Sequence, residues 1–293
     1  MGNDGTSTKF KYLKKLSTSS PVISALLLND NTLAINFSNE ELHIYNTTSF
    51  NCEHIFTSIR LGNPIQLTNN FIVSSTDSII EIFTYSKTKI EKIKRIDAHK
   101  KHIFTIIELS NNRFSSCSID AAINIYSSNL PFNIITTLKG HTSWVTSLLY
   151  YQKKDILISS GVDKRIIFWN MKTYQYESIM FGEPCCCNNG LIIIEKELII
   201  CSIEKVYIYD LNTLCLVDWI RDDAIVNISD LSSMNDGNIV CSGIDRNVYI
   251  IDMKKKQIVK VINKGDKGKI IKIDLINNSF IVTYGESITI WKL

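Results

Sequence analysis

The most constraining feature of this chain is a repeat. An aromatic or aliphatic residue that closes a short apolar run recurs at Tyr45, Phe83, Tyr126, Trp169, Tyr209, Ile251 and Trp291, at intervals of 38, 43, 43, 40, 42 and 40 residues. A unit of about 41 residues cannot bury its own apolar face and must stack on copies of itself, so the period limits the architecture before any single residue is interpreted. That length suits a four-stranded propeller blade and exceeds the helical-hairpin repeats of roughly 33 to 34 residues. Seven such units fill the 293 residues.

Within each unit the pattern is that of strands. Apolar residues alternate over Ile123-Asn124-Ile125-Tyr126, Val206-Tyr207-Ile208-Tyr209 and Ser287-Ile288-Thr289-Ile290-Trp291, a period of two rather than 3.6. Turn-forming clusters separate the runs: Asn29-Asp30-Asn31, Asn111-Asn112, Asn235-Asp236-Gly237-Asn238 and Asn277-Asn278. No helix is expected. An Asp stands six residues ahead of the closing residue in four units (Asp77, Asp120, Asp163, Asp245); the other three carry Asn39, Glu204 one place out of register, and Gly285.

The fourth unit is the most regular, running from Leu138-Lys139-Gly140-His141-Thr142-Ser143-Trp144-Val145 to Gly161-Val162-Asp163-Lys164-Arg165-Ile166-Ile167-Phe168-Trp169-Asn170. On these residues the chain resembles the WD-repeat β-propellers from about Lys9 to Leu293, with Asn170 where that family usually has Asp. The resemblance implies an all-β, seven-bladed β-propeller of four-stranded antiparallel blades. It also implies that His141, Ser159, Asp163 and Trp169 form a buried, structural hydrogen-bond tetrad, with a partial version at His99, Ser116 and Asp120 in which Tyr126 replaces the Trp. Apolar packing is then expected to carry more of the remaining blades. The last unit ends at Trp291-Lys292-Leu293 without an outer strand, and an open edge invites aggregation. Residues 9 to 16 are therefore expected to complete the seventh blade, leaving residues 1–8 as a flexible tail and residues 9–293 as one domain.

Composition narrows the function classes. A formal charge of +3 is too small to argue for nucleic acid. The eight cysteines lack C-x-x-C pairs and a secretory leader, which argues for a reducing, cytoplasmic compartment and against disulfides and structural zinc. The longest apolar stretch, Gly190 to Ile203, is broken by Glu195-Lys196-Glu197 and falls short of the roughly 18 residues of a membrane span. The triplet Cys185-Cys186-Cys187 is expected in the inner strand of the fifth blade as small apolar filler, since no histidine cluster accompanies it. The basic run Lys87, Lys89, Lys92, Lys94, Arg95, Lys100 and Lys101, diluted by Glu91 and Asp97, is expected to blunt an outer edge strand, and Lys254-Lys255-Lys256 to form a turn. Met1-Gly2-Asn3-Asp4-Gly5-Thr6 fits the myristoylation pattern, with Gly2 as acceptor and Lys9, Lys11, Lys14 and Lys15 downstream as a second membrane signal.

No nucleotide-binding, metalloprotease or serine-hydrolase motif occurs. The reading is a non-catalytic protein-protein interaction scaffold that needs no cofactor or metal and binds other proteins or peptides, with Trp144, His102 and Phe104 as candidate docking residues on one face. Two sharper versions accompany it. The fourth unit is similar to the matching blade of the ribosome-associated receptors for activated C kinase, although Phe37-Ser38-Asn39-Glu40-Glu41-Leu42 is acidic where those proteins meet ribosomal RNA with a basic segment. The chain could instead be the substrate-recognition subunit of a ubiquitin-ligase or trafficking complex. A propeller hydrolase would need clustered carboxylates or metal ligands at the pore, and the acids are scattered.

Overall fold

In the computed structural model of the chain, the described residues are 11–16, 20–181, 190–195, 197–201, 205–220, 228–234, 236–243, 245–263, 270, 272–276, 280–284 and 287–292. They form seven four-stranded antiparallel sheets. Blade 1 comprises Val22–Leu27, Thr32–Phe37, Glu41–Asn46 and Cys52–Thr57; blade 2, Gly62–Gln66, Phe71–Thr76, Ile79–Ser86 and Lys89–Asp97. Blade 3 is Ile103–Leu109, Arg113–Ser118, Ala122–Ser127 and Ile134–Lys139; blade 4, Val145–Tyr151, Ile156–Gly161, Arg165–Asn170 and Gln175–Phe181. Blade 5 is Leu191–Ile194, Glu197–Cys201, Val206–Asp210 and Leu216–Ile220; blade 6, Ile228–Ser233, Ile239–Gly243, Asn247–Asp252 and Gln257–Asn263. Blade 7 is Lys272–Ile276, Phe280–Tyr284, Ile288–Lys292 and, outermost, Lys11–Leu16. No α-helix occurs among the described residues; one 3₁₀ turn spans Gln152–Lys154.

The ring closes through that last pairing. Tyr12 lies opposite Trp291 and Leu16 opposite Ile288, and the Tyr12 ring meets Trp291 edge-on at 5.7 Å. Inner strands of successive blades touch around the ring, the first against the seventh included.

The closing residues all fall on the third strand of their blade. Those strands are sandwiched between neighbouring blades, so Arg165–Asn170 is buried along its four central residues rather than on alternate ones. Apolar clusters accordingly join adjacent blades: Leu42 and Ile44 with Ile72 and Phe83, Ile80 and Ile82 with Ile106 and Phe114, Ile125 with Leu148 and Leu157. In every blade the pairing to the outer strand slips by one residue at the closing position, for example between Phe168 and Trp169 or Ile44 and Tyr45. Such a bulge adds local twist to the edge.

Turn chemistry follows the sequence closely. Asn31, Asn70, Asn111 and Asn112 have positive φ, a conformation Asn tolerates better than most residues. In blades 1, 4, 5 and 6 the residue after the closing position caps the next turn: Asn46 Oδ1 accepts from the amides of Thr48 and Ser49, Asn170 Oδ1 from Lys172 and Thr173, Asp210 Oδ1 from Asn212 and Thr213, and Asp252 Oδ1 from Lys254 and Lys255. Toward the turn only the side-chain oxygen is used, so Asn170 caps as an Asp would, and its Nδ2 donates in addition to Glu177 Oε1 at 2.7 Å. Of the basic run, Lys89, Lys92, Lys94 and Arg95 lie on the outer strand Lys89–Asp97, where Lys92 pairs with Glu81 at 3.0 Å and Lys89 with Glu91 at 2.7 Å; Lys87 precedes the strand, and Lys100 and Lys101 fall in the loop after it.

Blades 3 and 4 share a polar clasp that sequence reading missed. Arg113, 6% exposed, donates from Nε to the Ser110 carbonyl, from Nη1 to the Met171 carbonyl and from Nη2 to Asp155, which also accepts from the Tyr150 hydroxyl at 2.6 Å. The signal, an Arg opening a strand, becomes meaningful only when residues about 40 to 60 positions later fold against it.

Candidate functional site

Two layers meet where blades 3 and 4 adjoin: a buried hydrogen-bond chain in each blade and, above them, an aromatic ledge at the surface.

In blade 4, Trp169 Nε1 donates to Ser159 Oγ at 2.9 Å, Ser159 Oγ donates to His141 Nε2 at 2.8 Å, and His141 Nδ1 donates to Asp163 at 3.0 Å. The carboxylate partner fixes the proton on Nδ1 and leaves Nε2 as acceptor. Burial alone would raise the Asp163 carboxyl, but hydrogen bonds from His141 and from the amides of Thr142 and Arg165 hold it below the usual carboxylate range. Ser, His and Asp here have the connectivity of a nucleophilic triad. Ser159, however, is 0% exposed, and its Oγ already accepts the indole N–H. The hydroxyl is sealed from any substrate carbonyl, and the chain acts as a brace.

Blade 3 repeats the chain with a different end. His99 Nδ1 donates to Asp120 at 3.1 Å, His99 Nε2 meets Ser116 Oγ at 2.8 Å, and the Tyr126 hydroxyl takes the indole's place at 3.1 Å from Ser116. Burial pushes the His99 imidazole below its ordinary value against the pull of Asp120. The Asp120 carboxyl, which burial would raise, is held low by the Lys100 amide, by His99 and by the Ala122 amide.

The expectation that the remaining blades rely more on apolar packing needs amending. Blade 1 carries a substitute chain along its third strand, from the Tyr45 hydroxyl to His43 Nδ1 at 3.4 Å and from His43 Nε2 to Glu41 at 2.9 Å. In blade 6, Asp245 accepts from Asn247 and from the Tyr249 hydroxyl. Asp77 also departs from the pattern: it is exposed, has positive φ, and faces His102 Nδ1 at 3.6 Å.

The ledge brings together Trp144, Phe104 and His102. Phe104 and Trp144 rings are 6.1 Å apart, and His102 meets Phe104 edge-on at 5.5 Å. Trp144 is 46% exposed, His102 is exposed and Phe104 half-buried. Local backbone explains the arrangement. Phe104 is the bulged residue where Ile103 pairs with Ser118 and Thr105 with Cys117, which lifts its side chain out of strand alternation. The Asn63 amide secures that bulge by donating to the Phe104 carbonyl at 2.9 Å. The Trp144 carbonyl accepts from the Val162 amide at 2.9 Å, and a Cβ on Gly161 would run into that carbonyl.

Gly2 and Cys185-Cys186-Cys187 lie outside the described residues, as do Lys9, Glu204 and Gly285; the inner strand of blade 5 is described over Leu191–Ile194. Among the described residues no cluster of three or more His, Cys, Asp or Glu is placed to hold a metal ion, and no helix is long and apolar enough to cross a membrane.

A family model described as WD domain, G-beta repeat matches residues 132–170, the stretch from the outer strand of blade 3 through the third strand of blade 4. Over 95 residues the chain is 30% identical to DDB1- and CUL4-associated factor 10 of Homo sapiens, covering 32% of this chain and 17% of that protein. The Xenopus tropicalis counterpart is 31% identical over 91 residues, 31% of this chain and 20% of that protein. Mitotic checkpoint protein BUB3.3 of Arabidopsis thaliana is 27% identical over 147 residues, 50% of this chain and 45% of that protein. The chain thus spans a fifth or less of the first two relatives' length and under half of the third's.

Proposed function

We propose that the chain, a ring of seven four-stranded blades whose residues 132–170 match the WD-repeat model, is a non-catalytic protein-interaction scaffold of the WD-repeat kind whose docking surface is the Trp144–Phe104–His102 ledge. One observation carries this reading: a Trp left 46% exposed beside a second aromatic ring, on a rigid frame. Large side chains with few rotamers supply contact area at low entropic cost, and exposed aromatics anchor interfaces for that reason. Two braced blades beneath the ledge keep it in one geometry. The free thiols of Cys52, Cys117, Cys215 and Cys241 suit the reducing cytoplasm we assign to it.

Affinity capture from native cytosol, run in parallel with Trp144→Ala/Phe104→Ala, tests the reading. A partner retained by the wild type and lost by the folded variant is the expected result. Partners held equally by both move the docking surface elsewhere, and none at all counts against a scaffold. A second reading draws on the similarity to DDB1- and CUL4-associated factor 10: this chain recognises substrates for an assembly containing DDB1 and CUL4. Capture of those two proteins supports it, whereas ribosomal proteins in their place favour the ribosome-associated version.

A further inference from the structure

We infer that the ledge selects an acidic peptide with an apolar anchor, a proposal that rests on the ledge being the docking surface. Charge is placed unevenly around it. The loop that carries His102 presents Lys100 and Lys101, both exposed, and the turn beside Trp144 presents Lys164, also exposed. The two loop acids on this side of blades 3 and 4, Asp120 and Asp163, are turned inward. Asp120 is engaged by His99 and the Lys100 and Ala122 amides, and Asp163 by His141 and the Thr142 and Arg165 amides.

Among the described residues of that sector the outward acid beside the ledge is Asp77, and His102 stands 3.6 Å from it. Farther out, the exposed charges come in equal numbers of each sign: Asp97 and Lys139 at the ends of the outer strands of blades 2 and 3, and Glu40 and Arg60 toward blade 1. Three exposed lysines therefore frame a half-exposed aromatic step against one exposed carboxylate, Asp77. An incoming acidic segment meets attraction on both sides while its apolar residue covers Trp144 and Phe104. A nucleic acid fits less well: a backbone-tracking groove needs a longer basic lining, and the chain's net charge is only +3.

The test is selection of a random twelve-residue peptide display library on the full chain, with Trp144→Ala as counter-selection. The expected consensus holds a run of Asp or Glu beside an aromatic or large aliphatic residue. Synthetic copies should lose about tenfold or more in affinity on Trp144→Ala, and several-fold on raising salt from about 50 to 200 mM. Lys100→Glu/Lys101→Glu/Lys164→Glu should turn the selected consensus basic, and an unchanged melting temperature in each variant shows that the fold is intact. A neutral or basic consensus on the wild type, acidic peptides indifferent to Trp144→Ala, no enrichment over the counter-selected variant, or a single-stranded oligonucleotide that displaces the peptides at equal affinity would each overturn the proposal. If a cytosolic partner depends on Trp144 while the consensus is not acidic, the docking reading stands and this inference fails. If neither depends on Trp144, both fail.

Discussion

Blades 3 and 4 run the same His–Ser–Asp chain and end it differently, and one backbone position shows why. In blade 4 the indole of Trp169 reaches over the residue before His141, where a Cβ on Gly140 would sit 2.8 Å from Trp169 Cη2 and 3.2 Å from Ile167 Cδ1. In blade 3 the residue before His99 is Ala98, buried at 6%, and the shorter phenol of Tyr126 leaves room for its methyl group. The Gly-His pair is thus half of a size match whose other half is a ring 29 residues away. Where the ring shrinks, the glycine is released. The hydrogen-bond function survives the exchange because a hydroxyl and an indole N–H can both donate to a serine oxygen.

Substitutions at the ring and at the glycine test the size match directly. Trp169→Ala removes a ring that is 2% exposed together with the donor to Ser159, and urea denaturation should record a loss of about 3–5 kcal/mol. Gly140→Ala should cost about 1–3 kcal/mol through overpacking. Combined as Gly140→Ala/Trp169→Tyr, which rebuilds blade 4 in the manner of blade 3, the two changes should cost less than their separate effects added together, and a strictly additive cycle would remove the size match. Tyr126→Phe should cost about 1 kcal/mol, since Ser116 keeps His99 as partner.

The His99 pair adds a pH dependence. Its imidazole is held below its ordinary value in the fold, whereas an unfolded histidine titrates near about 6.5. Below that pH the unfolded chain takes up a proton that the folded one resists, so stability present at neutral pH drains away as pH falls. Melting curves from pH 7 to 5 should show the decline, flattened in His99→Gln. The smallest effect belongs to Asn170→Asp. Its Oδ1 stays an acceptor for two turn amides, while the exposed Nδ2 donor to Glu177 Oε1 at 2.7 Å gives way to a second carboxylate oxygen, and calorimetry should find a loss of about 0.5 kcal/mol.

Much of the frame was legible in the sequence. The seven closing residues all mark third strands, because a strand buried on both faces must be apolar throughout and must end at a turn. The Asn and Asp clusters that could be followed fell at turns, and residues before the first blade supplied the missing edge strand. The substitute chain of Glu41, His43 and Tyr45 was not legible. It replaces a network spread over three strands with one spaced by twos along a single strand, and no repeat alignment looks for a partner there. The Arg113 clasp was hidden for a related reason: its carbonyl, carboxylate and hydroxyl partners are ordinary residues in their own blade.

Period, alternation and turn residues, which act over fewer than about 45 positions, were enough to set the number of blades and their strand order, and the ring closure followed from the last unit's lack of an outer strand. It took the folded ring to bring His102, Phe104 and Trp144 onto one ledge, to turn Asp77 outward where Asp120 and Asp163 face in, and to link Glu41, His43 and Tyr45 along one strand. Those outcomes depend on which side chains a neighbouring blade leaves exposed and which donors it brings within reach, and a one-dimensional pattern carries neither.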